Sequence, residues 1–102
     1  MKKVLMTAVA LSLVASFGTA VAGDAAAGKA KFAVCSGCHG PTGAGNDALG
    51  YPKLSGLEAG YVAEQLRAFK SGARDNATMK AMTAGLTDAD MDNLGAYVAT
   101  LK

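Results

Sequence analysis

Two cysteines three positions apart, Cys35 and Cys38, are followed at once by His39, the single histidine of the chain. They are also its only cysteines, so one small cluster carries all the thiol and imidazole chemistry available. A disulfide between them would close almost no loop and would constrain the unfolded chain little. A structural zinc site needs four ligands, and two thiols with one imidazole leave it one short. A redox-active dithiol uses the same Cys-x-x-Cys spacing, but its usual frame is a βαβ unit. No alternating run of β-branched and aromatic residues announces a strand beyond residue 22.

The chemistry that uses every member of Cys35-Ser36-Gly37-Cys38-His39 is covalent attachment of a c-type haem. Two thiols add across the vinyl groups on one edge of the porphyrin, and a histidine placed next in the chain then lies beneath the iron. Ser36 and Gly37 are small enough to pass close to the macrocycle. The expectation is one haem c, with thioether bonds to Cys35 and Cys38 and His39 on the iron.

The N-terminus reads as an export signal. Lys2 and Lys3 form a positive start, Val4 to Phe17 is almost uncharged and apolar, and Ala20-Val21-Ala22 has the small-x-small form of a cleavage site. The apolar run is shorter than the ~20 residues of a spanning helix and no basic stop follows it. Residues 1–22 are therefore expected to be a cleaved signal peptide. Residues 23–102 then form the folded domain, with a periplasmic location and no anchor after cleavage. Of the ten Lys and Arg, Lys2 and Lys3 leave with the signal, so eight face the eight Asp and Glu and the mature side-chain charge is zero. A neutral domain has no basic footprint for nucleic acid.

About 80 residues is a size at which natural domains add a disulfide, metal or cofactor to a small core. Asp24 can cap a helix reaching about Val34, with Gly28 and Phe32 on one face. From Ser36 to Gly56 the chain is rich in glycine and holds both Pro41 and Pro52, so it reads as a long irregular loop that needs something to wrap around. Ser55 and Glu58 have capping-box spacing, and Val62, Leu66 and Phe69 then continue a helix until Gly72. Thr87 and Asp90 form a second such box. Leu86 before it can staple onto Met91, and Leu94, Val98 and Leu101 carry the stripe to the C-terminus. The fold class expected is all-α.

An iron held by one histidine keeps an open position unless the chain fills it. Met91 is committed to its helix staple, whereas Met79 and Met82 both lie between the helices, and the residues alone leave the choice open. Met82 also reads as a polarisable filler against the haem.

Residues 23–102 resemble the class I c-type cytochromes, in particular small bacterial ones similar to a single lobe of the two-haem cytochrome c4 proteins. The resemblance rests on Gly28 and Phe32, on Cys35-Ser36-Gly37-Cys38-His39-Gly40, and on Tyr51-Pro52-Lys53-Leu54-Ser55-Gly56. It continues through Tyr61-Val62-Ala63-Glu64-Gln65-Leu66-Arg67, Met79 and Leu94-Gly95-Ala96-Tyr97. It implies a small cytochrome c-like fold of four to five helices wrapped around one haem. The first and last helices would cross where Gly28 and Phe32 meet Leu94 and Tyr97. It also implies that Met79 is the second axial ligand and that the Pro52 carbonyl accepts a hydrogen bond from His39.

The function expected is soluble one-electron transfer by a monomer, between redox proteins such as membrane cytochrome complexes, oxidases or dehydrogenases. The alternatives are a peroxidase-like haem enzyme or gas sensor with a displaceable sixth ligand, and a cytochrome subunit of a larger complex. Only one haem motif is present, so a role needing two haems in one chain is not supported.

Overall fold

The computed structural model describes residues 23–102, and the signal expected in residues 1–22 lies outside them. Four α-helices make up the described part, joined by loops whose regular content is one 3-10 turn and one isolated bridge. The all-α expectation holds.

Helix α1 spans Ala25–His39, started by the Asp24 carboxylate, which accepts from the amides of Ala26 and Ala27 at 2.9 and 3.4 Å. It does not end near Val34 but runs through both cysteines to the histidine. Nothing in Cys-Ser-Gly-Cys breaks a helix when the Ser36 hydroxyl donates back to the Ala33 carbonyl at 2.8 Å, as such side chains do in helix interiors. The stop is Gly40, at φ +89, a backbone angle that side chains rarely adopt. The irregular segment therefore begins at Gly40, not at Ser36. Within it, a 3-10 turn at Asp47–Leu49 is closed by paired main-chain bonds between Asn46 and Tyr51, at 2.7 and 2.9 Å.

Helix α2 spans Ala59–Ser71 and stops at the left-handed Gly72, but the Ser55–Glu58 capping box expected at its start does not form. Ser55 is buried in the preceding loop, its amide donating to the Gly43 carbonyl at 3.0 Å. The Leu57 amide donates to Leu54, so the chain turns before the helix begins and Glu58 becomes an N-cap without a side-chain bond. The segment of Met79 and Met82 is a short helix, α3, Ala77–Thr83, rather than open chain; Asn76 caps it by accepting from the Met79 amide at 2.9 Å. Helix α4, Asp88–Val98, has the full Thr87–Asp90 box, each side chain accepting from the other residue's amide at 3.0 Å. It ends at Val98, short of Leu101, yet Leu101 still packs on the core and its carbonyl accepts from Gly56 at 3.1 Å.

Helix α4 is the central element. A Cβ on Gly28 would overlap the main-chain carbonyl of Asn93, so α1 and α4 touch backbone to backbone where they cross. A Cβ on Gly95 would likewise meet the Ala59 carbonyl at the start of α2. These two close approaches bring Phe32, Val62, Leu94 and Val98 into one buried cluster, with Leu54, Leu57, Leu66, Leu86 and Tyr97 packed around it. Burying each such side chain contributes about 1.5–3 kcal/mol. Arg67 of α2 spans to α4, with Nε 3.1 Å from Asp88 and Nη2 2.9 Å from Asp92. This half-exposed pairing aligns the helices more than it stabilises them, at about 0.2–1 kcal/mol.

Candidate functional site

The last turn of α1 presents the site. Cys35 and Cys38 are three residues apart in a helix, so they lie on the same face one turn apart, and His39 closes the turn. Cys35 is half-buried against the core while Cys38 is exposed. Burial, and secondarily the neighbouring Cys38, pushes the Cys35 thiol above its ordinary range. That is the opposite of the acidified thiolate that dithiol redox chemistry uses. Among the described residues, no group of three His, Cys, Asp or Glu side chains is arranged to hold a metal ion, so a protein-only zinc site is not built here.

His39 is buried, and its Nδ1 lies 2.8 Å from the carbonyl oxygen of Pro52. A proline carbonyl can only accept, so Nδ1 carries the proton and Nε2 carries the lone pair. Among the described residues Nε2 has no hydrogen-bond partner. A buried imidazole with one nitrogen fixed and the other unsatisfied is the donor set an axial iron ligand requires, and the two thiols beside it suit the vinyl groups. The residues fit a c-type haem. The Tyr51 ring stands 6.5 Å from the imidazole, centroid to centroid, tilted by 54°.

Both methionines sit on α3. Met79 is half-buried and its backbone is held at both ends: Asn76 accepts from its amide, and the hydroxyl of the fully buried Thr83 donates to its carbonyl at 2.9 Å. Met82 is 41% exposed. The local signal for α3 is Asn76, a strong N-cap residue standing directly before it. Gly45 lies in the glycine-rich loop, where its amide donates to the main-chain carbonyl of His39 at 2.7 Å.

A helical domain that holds a Cys-x-x-Cys-His turn at the end of its first helix, with the imidazole oriented from behind by a proline carbonyl, is a c-type haem domain. The family model for cytochrome c matches residues 25–102, and the chain belongs to that family, whose members carry haem c covalently. It is 45% identical over its whole length to "Thiosulfate dehydrogenase electron acceptor" of Thiomonas intermedia, covering 45% of that protein. It is 45% identical to cytochrome c-554(547) of Halothiobacillus neapolitanus, with 79% of this chain aligned to all of that one. Reduced cytochrome c4 from Pseudomonas stutzeri superposes with a TM-score of 0.73 at 36% identity, covering 76% of this chain and 48% of that one. The chain thus spans less than half the length of the Thiomonas protein and of the cytochrome c4 structure.

Proposed function

We propose that this chain is an exported, periplasmic one-electron carrier whose single haem is bonded to Cys35 and Cys38 and ligated by His39 and Met79. The observation that carries the reading is the His39–Pro52 hydrogen bond, because it leaves Nε2 as the free donor of a buried ring. When bound, the haem supplies a one-electron couple, and His/Met ligation favours the reduced state relative to more strongly donating ligand pairs. The chain's own residues hold that couple steady. Pro52 orients the imidazole and raises its basicity, while the core under Cys35 anchors the attachment edge. Met79 is favoured over Met82 by its deeper burial and its doubly held backbone.

The partners proposed are redox proteins. The Thiomonas relative is by name an electron acceptor of thiosulfate dehydrogenase, which supports placing a dehydrogenase on the donor side of this chain as well. Among the described residues no helix is long and apolar enough to cross a membrane.

Visible spectra of the purified protein, oxidised and reduced, test the reading together with carbon monoxide. A His/Met carrier gives a low-spin spectrum in both states and resists carbon monoxide. Ready binding to the reduced protein would shift the assignment to an enzyme or sensor with an open sixth position.

A further inference from the structure

The hydrogen bond between His39 and Pro52 joins two segments that have no reason of their own to meet, and one residue touches both. The Gly45 amide donates to the main-chain carbonyl of His39 at 2.7 Å. The other side of the same residue faces the peptide units on either side of Pro52: a Cβ there would lie 2.6 Å from the Tyr51 carbonyl oxygen, 2.7 Å from the Pro52 carbonyl carbon and 2.7 Å from the Lys53 amide nitrogen. All three are backbone atoms, so no side-chain rotation relieves the overlap. Gly45 is also at φ +73.

We propose that Gly45 is a positioning residue for His39: it sets how near the Pro52 carbonyl comes to Nδ1, and through that bond the donor strength of the imidazole. The proposal rests on His39 being the axial ligand. Its physical content is a short chain of contacts. A side chain at position 45 moves the Pro52 peptide away, the Nδ1–H loses its acceptor, and the imidazole becomes a poorer electron donor. A poorer donor stabilises the oxidised iron less, so the reduction potential rises.

Gly50 provides the matched control. It too has a left-handed backbone, at φ +79, but a Cβ there meets nothing within 4 Å. Gly45→Ala and Gly50→Ala therefore share the backbone strain of alanine at positive φ, and only the first displaces Pro52. In the holoprotein, Gly45→Ala is expected to raise the potential and to speed solvent exchange of the His39 Nδ1 proton, read by NMR, by at least tenfold. Gly50→Ala is expected to match wild type in both. Equal potentials and equal exchange in the two variants overturn the proposal while leaving His39 ligation intact. A wild-type spectrum without a low-spin histidine-ligated iron overturns the ligation reading itself.

A measurement on the wild type alone keeps the claim exposed if Gly45→Ala yields no holoprotein. The Gly45 amide and the His39 Nδ1 proton should exchange through one shared opening, with equal protection across pH. A Gly45 amide that exchanges freely beside a protected Nδ1 proton overturns the proposal.

Discussion

The ring of Phe32 lies 5.2 Å from that of Tyr97, centroid to centroid and tilted by 57°, and it does so because Gly28 one turn earlier lets α1 settle against α4. Phe32 is one turn before Cys35 on the same helix, so the crossing that builds the core also fixes the attachment site. Replacing Gly28 by Val should part the helices and lower stability by about 1–3 kcal/mol or more. Phe32→Ala should cost about 3–5 kcal/mol. Denaturant midpoints of the holoprotein check both, and a Gly28→Val midpoint equal to wild type would show that the crossing tolerates a side chain.

The haem should stay on the polypeptide through acid-acetone extraction, since two thioether bonds survive conditions that strip a haem held by ligation alone. Cys35→Ala and Cys38→Ala should each lower the yield of mature protein, because a small domain loses a covalent staple. Haem recovered in the solvent phase would contradict the attachment.

Met79→Ala should abolish the weak far-red sulfur-to-iron band of the oxidised protein, lower the potential and open the iron to carbon monoxide. Met82 is 41% exposed, so Met82→Ala should leave the band and change stability by about 0.5 kcal/mol or less. The reverse pattern transfers the ligand role to Met82.

The Thr87 amide, helped by the Lys31 ammonium at 3.5 Å, holds the Asp90 carboxyl below the usual carboxylate range. A carboxylate with a lowered native pKa contributes stability that is fully present above its unfolded pKa. The contribution is lost as pH falls through the native value. Urea midpoints should therefore favour wild type over Asp90→Asn at neutral pH, with the gap closing on acidification below the carboxylate range. A gap independent of pH would leave the charge with no part in the cap.

The exported protein should begin at Gly23 and be recovered without detergent. The mass of the periplasmic form decides this, and an intact N-terminus found only in the detergent fraction would make residues 1–22 an anchor.

Much of this molecule could be read locally because its signals act over one helical turn. Asp24 and the Thr87–Asp90 box bond to amides two or three residues away, and the spacing of Cys35, Cys38 and His39 names its chemistry without reference to the helix that holds them. Such features need no knowledge of the rest of the chain. The Ser55–Glu58 spacing fits the same rule but lost to a non-local competitor, since the Gly43 carbonyl draws Ser55 into the loop and the helix starts later. Pro52 entered through resemblance to relatives, and its distance to His39 depends on how a glycine-rich loop routes the chain across thirteen positions. The role of Gly45 had no local sign at all. A residue without a side chain acts by what it allows to come close, and only the folded loop brings the Pro52 peptide against one face of it and the His39 carbonyl against its amide.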